Sequence, residues 1–325
     1  MLKLHLDYKP QTIQPQINQK SKIILAGSCF STHIGDRLLN SGIDVLQNPY
    51  GILFNPLSII ESIENCADEK IFTEEDLIKH NDLYLSIKHH SSYSNTSKSQ
   101  CLENINNSIS KTRKFLEEAQ YLILTLGSAF GYYTDKTLAG NCHKLPAENF
   151  TKRIQEEGEI EWLFYRMRAK LLLINPDIKI ILTVSPVKHL RDGIIENSLS
   201  KARLISLVNK LCPEYAAYFP AYELVTDDLR DYRFYEEDMA HPNNAAINYV
   251  WEKFCATSMS QETLQLSKEI NTIKSAVNHK IFFPESATTK KFIENMIDKI
   301  QTLKYQHPHI NLNPEELHFK TLQKR

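Results

Sequence analysis

Two short segments carry residue types that can open an ester. Gly27-Ser28-Cys29-Phe30 sets a hydroxyl and a thiol directly after an apolar, strand-like run. A nucleophile at a strand-to-helix turn is exposed, and the N-terminal end of the next helix favours its anion. A thiol in that place can be partly ionised near neutrality. Asp238-Met239-Ala240-His241-Pro242 sets a carboxylate three residues before an imidazole. Such a carboxylate can hold one ring nitrogen, fix the tautomer and stabilise the imidazolium, while the other nitrogen faces a nucleophile. The pair of segments reads as nucleophile and base, with Cys29 or Ser28 as the attacking atom.

Other polar residues compete for a place beside them. His89 and His90 precede a serine-rich polar stretch over residues 91–99 and read as a second base, a substrate contact or a solvated pair. Cys142, His143 and Lys144 could line a pocket. His189, Arg191 and Asp192 follow a strand-like run; Arg191 could clamp a carboxylate or phosphate, or pair with Asp192. Cys29, Cys142, His143 and His89 or His90 could in number gather around zinc, but their scatter lacks a zinc-site spacing, so no metal and no cofactor is expected.

The elements that would position these groups alternate. Residues 22–26, 43–47, 121–126 and 178–184 are short apolar runs that read as strands, with a weaker fifth over 222–225. Helical spacing follows over residues 32–40, 105–119, 159–175, 199–211 and 245–254. Short apolar strands alternating with helices predict an α/β fold, a parallel sheet with helices on both faces. Active sites of such sheets lie beyond the carboxyl ends of the strands, where Gly27-Ser28-Cys29 and Gly127-Ser128 fall. After residue 257 the pattern changes to two amphipathic helices, over 264–277 and 290–303, and a polar tail from His307. The expected organisation is therefore a first domain over 1–257 and a helical appendage over 258–325.

Composition narrows the function classes. The 325 residues are 42% hydrophobic, with 38 basic against 39 acidic side chains. A net charge of -1 gives no electrostatic reason to expect nucleic acid or an anionic membrane as partner. No apolar run approaches the ~20 residues of a membrane helix, and residues 1–20 lack a signal-peptide core. The expected setting is cytoplasmic. The six cysteines are dispersed without a C-x-x-C pair, as free thiols in a reducing compartment would be.

Read together, these segments resemble the GSCFA-domain proteins, relatives of the SGNH (GDSL-type) hydrolases. The resemblance rests on Gly27-Ser28-Cys29-Phe30-Ser31, the segment from Asn48 to Pro56, Thr125 to Phe130 and Asn141 to Pro146. It extends to Thr183 through Gly193, Asn197 with Ser200-Lys201-Ala202, and the Asp238 to Pro242 segment. It implies a three-layer, flavodoxin-like fold. Matching the glycines of the SGNH first block, Gly-Asp-Ser-Leu, puts Cys29 on the nucleophile; a one-residue slip puts Ser28 there. The resemblance further implies oxyanion donors at the Cys29 backbone and at Gly51. The third block, ordinarily Gly-x-Asn-Asp, is here Gly127-Ser128-Ala129-Phe130, so Ala129 stands where a side-chain donor is expected and Ser128, Asn55 or another donor would replace it.

The expected activity is acyl hydrolysis or acyl transfer, acting on ester-linked groups (acetyl included) of a carbohydrate or metabolite. A non-catalytic carbohydrate- or partner-binding module is the alternative that Ala129 favours. A metal-binding protein is a third.

Overall fold

The computed structural model describes residues 6–135 and 137–324. Its central sheet has five strands: β1 (Lys22–Gly27), β2 (Asp44–Gln47), β3 (Tyr121–Leu126), β4 (Lys179–Val184) and β5 (Ala217–Tyr218). Their order across the sheet is β2-β1-β3-β4-β5. This is the doubly wound order of flavodoxin-like folds. The β1–β3, β3–β4 and β4–β5 pairs are parallel, with Ile24 beside Leu122 and Leu122 beside Ile180.

Side chains of a strand alternate between faces, so one face carries Ile24, Leu122, Leu124, Ile180 and Leu182, and the other Ile23, Leu25, Ile123 and Ile181. All are 5% exposed or less, so both faces are covered. The first face joins a core with α2 (Pro56–Ala67), α3 (Lys98–Leu116), α4 (Glu157–Ile174) and α5 (Ile194–Leu211). Two more helices flank the site: α1 (Cys29–Asn40), which starts at the first turn residue, and α6 (Asn244–Ser258).

Three features depart from the sequence expectation. Residues 222–225 are not a strand; Ala221–Glu223 is helical and Leu224–Leu229 continues as a π-helix. A four-residue apolar run fits either state, and here Leu224, Val225 and Asp228 turn inward at helical spacing. The edge strand is the preceding Ala217–Tyr218. Helix α2 was not expected, although Asn55 accepts from Ser58 N–H as its N-cap and Pro56 opens its first turn. The segment between β3 and α4 adds an antiparallel sheet of Phe130–Thr134, Thr137–Ala139 and Thr151–Ile154.

The chain divides into two compact units. The first comprises Met1–Ile13, Lys22–Gly35 and Val45–Thr257 and contains every candidate site residue. The second gathers Gln14–Ser21 and Asp36–Asp44 with Ser258–Arg325. Its helices are α7 (Gln261–Val277), α8 (Ala287–Gln306) and α9 (Asn313–Gln323), which form a separate core around Ile270, Ile297, Ile300 and Phe319. Helix α9 lies in the tail that reads as polar in sequence; Phe319 alone of its residues is buried. Within this unit the Gln19 amide donates to Ser41 O (3.1 Å) and Ser267 Oγ (3.1 Å).

Candidate active site

The turn after β1 is built for a close approach. Gly27 has φ +139°, and a Cβ there would meet the Thr125 carbonyl oxygen at 2.2 Å. Only glycine fits, and it lets the chain pass straight into α1. Gly27 N–H donates to Asn48 Oδ1 (3.0 Å), and its carbonyl accepts from Leu53 (3.0 Å).

Ser28 and Cys29 then face differently. Ser28 is 1% exposed; its Oγ is buried and has no hydrogen-bond partner among the described residues. Cys29 is half-buried and lines a cavity. Burial pushes the Cys29 thiol up from its ordinary range; the N–H groups of Cys29 and Phe30 and the charge of Lys201 act in the opposite direction.

The partner imidazole reaches the same cavity. His241 Nδ1 lies 2.5 Å from Asp238 Oδ2. Asp238 Oδ1 accepts the N–H groups of Ala240 and His241, both at 2.9 Å. These amides and the imidazole hold the Asp238 carboxyl down at about 2. Met239, at φ +55°, is the residue that bends the loop back on itself. Both side chains of the pair are about half exposed, at 52% and 50%, so the pair sits at the rim. The cavity, together with the open solvent at its mouth, spans about 350 Å³, and Cys29, Phe30, Val187, His241, Ile247 and Val250 are among its walls.

The residues expected to hold an oxyanion are differently placed. Gly51 N–H donates to Asn48 O (2.7 Å). Asn55 Nδ2 donates to Phe130 O (2.9 Å), while its Oδ1 accepts from Ser58 N–H and Gln155. Gly127 and Ser128 both donate their N–H groups to Phe54 O, at 2.8 and 3.0 Å. Ser128 Oγ accepts from Phe130 N–H and lies 3.3 Å from Ser200 Oγ. These groups stitch the 48–55 segment to the loop after β3.

Histidine 189 contrasts with them. Its Nε2 is buried and has no partner among the described residues, and its ring meets Phe54 edge-on at 5.3 Å. Burial, with the positive charges of Lys201 and His241, pushes it down to about 4 against the pull of Asp192, so the ring is neutral. His90 instead packs on Gly51 and engages Ser92, with Nδ1 3.1 Å from Ser92 Oγ. His143 Nε2 donates to Ser86 O (2.9 Å). His89 is a core residue, stacked on Tyr50 at 4.0 Å. Arg191 is exposed; Asp192 pairs with Lys152 (2.5 Å) and accepts from the Tyr132 hydroxyl (2.9 Å). Among the described residues no group of three or more His, Cys, Asp or Glu could hold a metal ion. No helix among them is long and apolar enough to cross a membrane.

Lys201 escapes a reading by motif roles. It is 1% exposed, and its ammonium donates to Gly127 O (2.6 Å) and Ser185 O (2.7 Å), just past the ends of β3 and β4. Among the described residues its hydrogen bonds go to these carbonyls and not to a carboxylate; the face of Tyr222 lies 5.9 Å away. Burial brings it down to about 7, and the charge that resists this is Cys29. The available signal was a lysine on the apolar stripe of α5, in line with Leu204, Val208 and Leu211.

Residues 22–254 match the GSCFA family. The chain belongs to this family. Residues 259–324 match the C-terminal domain of GSCFA domain proteins. Among solved structures, this GSCFA chain is similar to a carbohydrate esterase family 3 from Talaromyces cellulolyticus at 9% identity and a TM-score of 0.36, over 77% of this chain and 99% of that one. It is also similar to an acetyl esterase mutant with acetate ion, at 9% identity and a TM-score of 0.35 over the same shares. No curated protein matches the chain.

Proposed function

We propose that the protein is an acyl hydrolase or acyltransferase with Cys29 as nucleophile, His241 as its base and Asp238 as the group that orients His241. The observation that carries this reading is the shared cavity: Cys29 and His241 both line it, and His241 Nδ1 is fixed by Asp238 at 2.5 Å. With Nδ1 so held, Nε2 is the nitrogen free to move a proton. Ser28 is the weaker nucleophile because its Oγ turns into the protein.

In the proposed cycle His241 Nε2 takes the Cys29 thiol proton. The thiolate adds to the ester carbonyl, and the tetrahedral oxyanion forms. Collapse breaks the C–O bond to the alcohol, which leaves with the proton from the imidazolium. The thioester is then resolved by water, giving the acid, or by an acceptor hydroxyl, giving a new ester; either returns the proton to Cys29. The oxyanion is held by the Cys29 N–H, at the start of α1, and by Nε2–H of His189. That imidazole is favoured over Gly51, Asn55, Gly127 and Ser128 because its Nε2 has no hydrogen-bond partner among the described residues. Small esters, including carbohydrate esters, are the substrate class.

Turnover of an activated ester by wild type, Cys29→Ala, Ser28→Ala and His189→Gln tests the assignment. The expected result is loss in Cys29→Ala, a drop of about 10²-fold in His189→Gln and near-wild-type rates in Ser28→Ala. Full activity in Cys29→Ala would overturn it.

A further inference from the structure

The walls of the cavity say what kind of acyl group the site takes. Beyond Cys29, His241 and the exposed His33 they are apolar: Phe30, Val187, Val225, Ile247 and Val250 among them. Among the described residues neither a carboxylate nor an amide side chain lines it. A sugar ring would leave most of its hydroxyls unpaired against these apolar walls, at a cost for every one buried. Cys29 and His241, the proposed nucleophile and base, line the same cavity, so the reacting carbonyl belongs beside them. The apolar wall from Ala246 to Val250 runs one turn of α6, roughly 6 Å, the reach of about four to six carbons.

We infer that this cavity is an acyl-chain pocket, and that the preferred donor is an ester or thioester of a short unbranched aliphatic acid, butanoyl to hexanoyl, in preference to acetyl. The inference rests on the proposed role of Cys29 and adds the substrate class. It puts the acyl chain inward, along α6, and leaves the alcohol portion on the solvent side, where Asp238 and His241 are half exposed. Selectivity for the acyl chain is then set by Val225, Ile247 and Val250, and selectivity for the alcohol by groups outside the cavity.

Two measurements on the intact chain test it. In the first, rates of Cys29 acylation are compared across p-nitrophenyl esters from acetyl to decanoyl. A buried methylene contributes enough to raise the rate about fourfold per added carbon. The expected profile rises from acetyl to butanoyl or hexanoyl and falls beyond. A profile that is flat or highest at acetyl overturns the pocket while leaving the nucleophile in place. In the second, free acetate, butanoate, hexanoate and octanoate are tested for protection of Cys29 against iodoacetamide. Protection should strengthen about fourfold per methylene up to hexanoate; length-independent protection, or none, overturns the inference. This arm needs no turnover, so it separates the two ideas: graded protection without any acylation keeps the pocket and sinks the covalent role. Val250→Phe, which shortens the wall, should move the optimum toward acetyl. Ile247→Ala should move it toward octanoyl if Val250→Phe does not fold.

Discussion

The two halves of the candidate site are built on opposite principles. The half made by Cys29, His189 and His241 keeps reactive or polar atoms in reserve: a half-buried thiol, a buried Nε2 without a partner among the described residues and a ring held from behind by Asp238. The half made by Gly51, Asn55, Gly127 and Ser128 has its donors engaged by Asn48, Phe130 and Phe54. A buried polar group that already has its partner gains little from a passing substrate, whereas an unpartnered one gains a full bond. With His189 rather than these donors at the oxyanion, as proposed, a motif position would pass on its place in the fold more faithfully than its chemical role.

The comparison can be broken most sharply at the thiol. Cys29→Ala should lower acylation by a factor of about 10³ or more, since among the described residues no other Ser, Thr or Cys lines the cavity. Ester turnover at matched protein concentration checks it. Asp238→Asn should cost about 10²–10⁴-fold, because His241 loses the acceptor that sets its tautomer. A comparable loss at high pH as at neutral pH would mark orientation, and recovery at high pH would mark charge alone.

Lys201 probes what lies beneath both halves. Removing the ammonium that opposes the burial of the thiolate should push Cys29 further up, so Lys201→Met should slow its alkylation at pH 7 by about tenfold or more. The whole alkylation profile should also move to higher pH. An unchanged profile with a lower Tm would reduce Lys201 to a clasp on Gly127 O and Ser185 O.

Asn55→Ala sharpens the contrast from the other side. It removes the cap of α2 and the bond to Phe130 O, and should cost about 2–3 kcal/mol of stability. The acylation rate of the folded fraction should stay within a few fold. A fall of about 10²-fold at full folding would instead return Asn55 to the oxyanion.

The smallest effect concerns pH. Burial pushes His89 down to about 3 and His189 to about 4, against about 6.5 in an unfolded chain. Both folded values are depressed, so between pH of roughly 4 and 6.5 the unfolded chain binds protons that the native state refuses. Stability should therefore fall as pH drops through that window. His89→Phe should flatten the fall in Tm, measured by calorimetry from pH 7 to 4.5.

Much of this was legible in the residues. The apolar runs of β1, β3 and β4 and the turn at Gly27-Ser28-Cys29 follow from hydrophobic patterning and one obligatory glycine. The Asp238–His241 contact follows from a spacing of three. What stayed hidden depends on partners remote in sequence. The Gly51 donor is engaged by Asn48, but the donors of Gly127 and Asn55 are engaged by Phe54 and Phe130, whose carbonyls reach them only in the fold. Residues 222–225 read as strand because their apolar run is too short to show a helical period. Lys201 was visible as a lysine on an apolar stripe, yet its nearness to Cys29 required β1, β3 and β4 to lie side by side.

The most direct measurement is intact mass after brief exposure to an activated butanoyl ester, followed by peptide mapping. One butanoyl adduct is expected, carried by Cys29, absent in Cys29→Ala and His241→Ala and retained in Ser28→Ala. An adduct mapped to Ser28, or one that survives Cys29→Ala, would contradict it.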